Sequence, residues 1–81
     1  MSRPIALGRS ARAVLGVFAK HHKRAGDRLR YDQIFHNLGD AQIARTGQKE
    51  LAQKGLVVAH PQEVELTQTG YANLLSDFGF Q

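Results

Sequence analysis

At 81 residues the chain is one domain at most, able to bury only about 60% of its unfolded surface, and its 42% hydrophobic and 22% charged residues, free of low-complexity tracts, exclude a disordered protein. The absence of cysteine excludes a disulfide framework and a thiolate zinc site, and the short apolar runs predict a soluble, cytoplasmic protein with neither signal peptide nor membrane span. The net charge of +4 favours polyanionic partners, and the imbalance is concentrated: residues 1–30 hold Arg3, Arg9, Arg12, Lys20, Lys23, Arg24, Arg28 and Arg30 against Asp27 alone, whereas the remainder sets Arg45, Lys49 and Lys54 against six acids.

Residues 1–9, with Pro4 and Gly8, read as a flexible basic arm. Its Arg3 and Arg9 either reach a minor groove or merely solubilise the terminus. Ser10 is positioned to cap a first helix, about 10–24, whose Ala11, Val14, Leu15, Phe18 and His22 follow i, i+3, i+4 spacing. Gly16 within it marks a close helix approach, while Lys20, His21, Lys23 and Arg24 suit the negative end of the helix dipole, and Gly26 stops the helix. Leu29 to Tyr31 reads as a short edge strand, with Arg28 just before it and Arg30 within it, which either contact phosphates or discourage edge-to-edge pairing.

A second helix is predicted over Asp32–Leu38, with Ile34, Phe35 and Leu38 on its buried side and Gly39 ending it in the left-handed conformation. Asp40 then caps a third, Ala41–Lys54, closed by Gly55, so that the two helices joined by Gly39-Asp40 form a helix-turn-helix. Leu56–Ala59 and Val64–Leu66 read as strands around a hairpin tip, His60-Pro61-Gln62-Glu63, a candidate wing. Thr67 or Thr69 caps a final short helix through Tyr71, Leu74, Leu75 and Phe78, and Gly79 releases a tail at 79–81. The predicted fold is α+β and mostly helical: a winged helix spanning 10–78, with a three-helix core, one short strand, a C-terminal hairpin wing and a short last helix.

On the third helix, Ile43, Ala44, Gly47, Leu51 and the stem of Lys54 share one side, and Gln42, Arg45, Thr46, Lys49 and Gln53 share the other. The second stripe is wholly hydrogen-bonding and acid-free. Arg reads guanine and Gln reads adenine through paired hydrogen bonds in the major groove, Thr donates or meets a thymine methyl, and Lys neutralises phosphate. On any amphipathic helix the same residues also serve simply as a solvated face. Their place after a tight turn, before a hairpin and in a chain with a basic first third, points to double-stranded DNA, with Arg12, Arg28 and Arg30 as phosphate contacts and transcription regulation as the role.

The run Leu51-Ala52-Gln53-Lys54-Gly55-Leu56-Val57, a hairpin, and then Leu66-Thr67-Gln68-Thr69-Gly70 resembles the winged-helix regulators of the MarR type. The resemblance covers roughly residues 10–78 and is specific for the fold more than for any one regulator. It implies that Gln42, Arg45, Thr46 and Lys49 enter the major groove and that the hairpin around His60, Gln62 and Glu63 lies near the backbone or minor groove. The tip lacks the Arg or Lys of wings that grip DNA, and Glu63 would be repelled by phosphate. The long dimerising helices of that family have no counterpart, so a homodimer would be built differently, with Leu74, Leu75, Phe78 and Phe80 either pairing two copies or completing the monomer core.

The four histidines lack a completing Cys, Asp or Glu pattern, and His21 and His22 point about 100° apart as helix neighbours, so no metal or other cofactor is expected. No phosphate-cradling glycine loop, nucleophile elbow or paired carboxylates appear, so no enzyme is expected. The competing function classes are a protein-interaction adaptor of the same fold, acting on a partner complex, and an RNA binder using the basic first helix.

Overall fold

The structure, a computed structural model, describes residues 5–78. Seven elements follow in order: α1 (Arg9–Lys20), β1 (Arg28–Arg30), α2 (Tyr31–Leu38), α3 (Ala41–Gln53), β2 (Val57–Ala59), β3 (Glu63–Leu66) and α4 (Gln68–Phe78). The strands form one antiparallel sheet in the order β1-β3-β2, with Leu29 opposite Val64 and Ala59 also opposite Val64, so this buried valine is central to the sheet. Among the described residues no helix is long and apolar enough to cross a membrane. Arg3, Pro4, Gly79 and Phe80 lie outside the described residues.

One core joins helices and sheet. Ala11, Val14, Leu15 and Phe18 of α1, Ile34 of α2, Leu51 of α3, Leu56, Leu29, Val64 and Leu66 around the sheet, and Leu74 of α4 are all essentially inaccessible. Burying each large aliphatic or aromatic side chain contributes about 1.5–3 kcal/mol, the main favourable term in a chain this small. The α1–α3 contact depends on Gly47. A Cβ there would fall on the backbone carbonyl of Ser10 and 2.6 Å from Val14 Cγ2. Gly16, expected to mark the close approach, instead faces the ring edge of Phe78, its nearest atom at 3.3 Å from an added Cβ.

Several local boundaries differ from expectation. α1 starts at Arg9 with Gly8 as its cap residue, so Ser10 lies inside the first turn. It ends at Lys20, not Arg24, because His22 adopts φ 56°. The amide of His22 donates to the Ala19 carbonyl and that of Lys23 to the Phe18 carbonyl, the paired bonds of a left-handed helix stop made without glycine. His22 is therefore exposed at a turn and not part of the apolar stripe, and Gly26 (φ 91°) belongs to the following loop. α2 begins at Tyr31, a residue early, with the amide of Arg30 donating to the Gln33 side chain at 3.1 Å. Phe35, expected in the core, is 49% exposed, since Ile34, with Tyr31 and Leu38 one turn to either side, occupies the inward face of this two-turn helix.

The expected flexible arm is tied down over residues 5–8. Ile5 and Leu7 pack against the core, and the amide of Gly8 donates to Glu50 at 2.9 Å. The buried side chain of Asn73 accepts from the Ile5 amide and donates to the Ile5 carbonyl, gripping the segment as a neighbouring strand would. Of the two caps the sequence offers for α4, Thr67 and Thr69, it is Thr67 that serves. Its hydroxyl accepts from the Gly70 amide at 3.0 Å while sharing its one proton between the carbonyls of Gly55 and Leu56, which fastens α4 to the end of α3.

Candidate nucleic-acid interface

The orientation of α3 is set at both ends by local chemistry. Gly39 (φ 67°) takes the left-handed conformation that turns the chain sharply out of α2, its amide donating to the Phe35 carbonyl. The Asp40 carboxylate then accepts from the amides of Gln42 (2.9 Å) and Ile43 (3.1 Å). At the far end Gly55 (φ 78°) and the bond from the Leu56 amide to the Leu51 carbonyl close the helix. Gly47 and Leu51 face the core, Ile43 and Ala44 are half-buried, and Lys54, whose stem was placed on this side, is exposed, with its ammonium donating to the Ala6 carbonyl and to Glu50.

The opposite face carries the residues singled out in the sequence: Gln42, Arg45, Thr46, Lys49 and Gln53 are all exposed along one side of α3. The Gln42 amide donates to the Thr46 hydroxyl at 3.2 Å, which pre-orients two neighbouring polar groups one turn apart. Arg45 and Lys49 enter no salt bridge among the described residues. The helix's one acid, Glu50, is turned away from this face, accepting from the Gly8 amide and paired with Lys54 at 2.9 Å. The Gly8 amide first, and Lys54 after it, hold the Glu50 carboxyl below the usual glutamate range. The stripe is thus cationic, acid-free and rich in donors held on a rigid element.

The flanking arginines are differently placed. Arg28 sits opposite Glu65 in the β1–β3 register and Arg30 opposite Glu63. Arg28 pairs with Glu63 at 3.3 Å and with Glu65 at 3.5 Å, and Arg30 with Asp32 at 2.9 Å. All of these are surface pairs, worth about 0–1 kcal/mol, so they balance the outer face of the sheet without locking it. Arg12 is exposed on α1, the helix that packs behind α3, and no hydrogen bond or ion pair among the described residues joins it to the stripe.

The hairpin tip is shorter than expected. It comprises His60, Pro61 and Gln62, closed by the His60 amide donating to the Glu63 carbonyl at 2.8 Å, and Glu63 belongs to β3. The Tyr31 hydroxyl donates to the His60 carbonyl (2.7 Å) and accepts from the Gln48 side chain (3.2 Å), so one phenol links α3 to the hairpin. His60 is held at 2.9 Å from Glu65. Neither Tyr31 nor Gln48 was singled out in the sequence, because their meeting depends on the non-local placement of the hairpin. Between α2 and α3 an open groove is lined by Ile34, Phe35, Ala41, Ala44 and Arg45. Among the described residues no cluster of three or more His, Asp or Glu side chains is arranged to hold a metal ion.

No family model matches the chain, and the comparisons with curated proteins and with solved structures likewise found no match.

Proposed function

We propose that the chain is a winged helix-turn-helix module that reads double-stranded DNA by inserting α3 into the major groove and acts in transcription regulation. The observation that carries this proposal is the exposed, acid-free stripe of Gln42, Arg45, Thr46, Lys49 and Gln53, presented by a helix that follows the Gly39–Asp40 turn. The strand order β1-β3-β2 and the hairpin placed after α3 support it, since both are compatible with a winged-helix arrangement. In this proposal Arg45 and Gln42 read base edges, Thr46 supplements them, and Lys49 and Gln53 meet the backbone. Arg28 and Arg30 serve only by exchanging a carboxylate for a phosphate, an exchange that costs little for exposed pairs. The hairpin, with Glu63 beside its tip and Glu65 farther along β3, is assigned no DNA grip.

The test is selection from a random duplex pool at low and near-physiological salt, followed by affinity measurements on the retained sequences. Arg45→Ala is expected to lose about 1–3 kcal/mol on the selected motif, about 5- to 150-fold, and to relax preference at one position. Lys49→Ala should weaken binding evenly across sequences. Equal losses on all sequences for both variants would remove base reading from Arg45. One observation favours a second function: the half-exposed Phe35 beside Arg45 in the α2–α3 groove suits a protein partner. Failure to bind any duplex at low salt would turn the assignment to such an adaptor.

A further inference from the structure

The cations of the described chain fall into two groups. Arg28, Arg30 and Lys54 have carboxylate partners; Lys20, Lys23, Arg24, Arg45 and Lys49, with Arg9 and Arg12, have none among the described residues. Three of the second group, Lys20, Lys23 and Arg24, lie within five residues at the end of α1, where the left-handed stop at His22 folds the chain back on the helix end. A helix C-terminus attracts cations, but its dipole amounts to only about half a charge. The one carboxylate beside them, Asp27, accepts from the Arg24 amide at 2.8 Å. Three cations set against one carboxylate and the partial charge of a helix end leave this corner net positive.

Two further observations place and qualify this corner. His21 Nε2 lies 3.3 Å from the Asn37 side-chain amide, which sets the corner beside the end of α2, two residues before the Gly39 turn into α3. His22 keeps an exposed side chain, with no hydrogen bond among the described residues, at a φ of 56° where glycine is the unstrained choice. Measured along α1, Lys20 is about 15 Å from Ser10, where that helix crosses α3 at Gly47. A major groove is about 12 Å wide. The corner therefore lies near the α2–α3 turn, at a distance from the α1–α3 crossing comparable to the width of the groove that α3 would occupy.

We infer that Lys20, Lys23 and Arg24 form a second contact surface, separate from the α3 stripe, that binds the phosphodiester backbone flanking the site α3 occupies. The inference rests on the DNA-binding function proposed above for its geometry, but the surface contributes through charge alone and carries no sequence preference. Each cation that neutralises a phosphate adds about 0.9 to the slope of log K against log salt, so the corner accounts for about two to three units of that slope.

The experiment measures binding of a 20-base-pair duplex over a salt series for four proteins: wild type, Lys20→Ala/Lys23→Ala/Arg24→Ala, Lys20→Arg/Lys23→Arg/Arg24→Lys, and Arg45→Ala/Lys49→Ala. Circular dichroism of each confirms folding. The alanine triple is expected to lose two to three units of slope equally on selected and unrelated sequences, while retaining the selected motif; the charge-keeping triple should retain the wild-type slope. An unchanged slope in the alanine triple overturns the inference and leaves the α3 proposal standing. Wild-type binding by the Arg45→Ala/Lys49→Ala protein, with loss confined to the corner variant, would instead overturn the α3 proposal while the phosphate surface stands. A wild type that binds no duplex at low salt overturns both.

Discussion

Gly47→Ala tests whether the position of α3 depends on its contact with α1. The added methyl would lie 2.6 Å from the Ser10 carbonyl carbon and from Val14 Cγ2, and closer still to the Ser10 oxygen. Carbon atoms are most favourably placed about 3.5–4.0 Å apart, so the two helices must separate by roughly 1 Å over their contact. Overpacking of this kind costs about 1–3 kcal/mol, and the upper end applies because the obstacle is backbone and has no alternative rotamer. Replacing glycine in a helix interior returns about 1 kcal/mol. The net loss of about 2 kcal/mol corresponds to a melting temperature lower by about 8–16 °C in a domain of this size. Gly16→Ala is the matched control: its nearest neighbour is the ring edge of Phe78, 3.3 Å away and 37% exposed, which is free to rotate aside. That variant should melt at or above the wild type. Thermal unfolding followed by circular dichroism reads both, and a Gly47→Ala protein that melts as high as Gly16→Ala would refute the close approach.

Two more outcomes follow from contacts that hold α3 in place. Glu50 has a lowered pKa in the folded chain, so its stabilising contribution is complete above the unfolded value of about 4.3 and is lost as pH falls through the folded one. Glu50→Gln should therefore flatten the decline in stability below about pH 4, measured by urea unfolding across an acid series; an unchanged acid limb would remove the Gly8 and Lys54 contacts as its cause. Tyr31→Phe removes the hydroxyl shared by Gln48 and the His60 carbonyl and should cost about 1 kcal/mol at unchanged denaturant dependence. A variant as stable as wild type would show that the link from α3 to the hairpin carries no energy.

Where neighbouring residues decide a conformation, the sequence was a sufficient guide. Gly39 and Asp40 specify a left-handed stop and a helix cap within two positions, and the hydrogen bonds lie where that chemistry puts them. The outward stripe on α3 was legible for a similar reason, because helical spacing alone sorts Arg45 and Lys49 from Leu51. Tertiary contacts were not legible. Gly16 and Gly47 are both helix-interior glycines, and only the crossing of α1 and α3 distinguishes them. Arg28 and Arg30 read as free cations until the β1–β3 register sets Glu65 and Glu63 opposite them. The end of α1 was misplaced because His22 supplies a left-handed residue where Gly26 offered the stronger local signal.

The Asn73 clamp bears on how the fold is lost as well as on how it is held. Its bonds to Ile5 join residues 68 positions apart, so they close nearly the whole described chain into one loop. The entropy of closing so long a span is recovered only after the helices and sheet have brought its ends together, which places the clamp late on the folding route. An interaction absent from the transition state leaves the folding rate almost untouched and slows unfolding. In a domain with a small core, this amide latch acts on the lifetime of the native state.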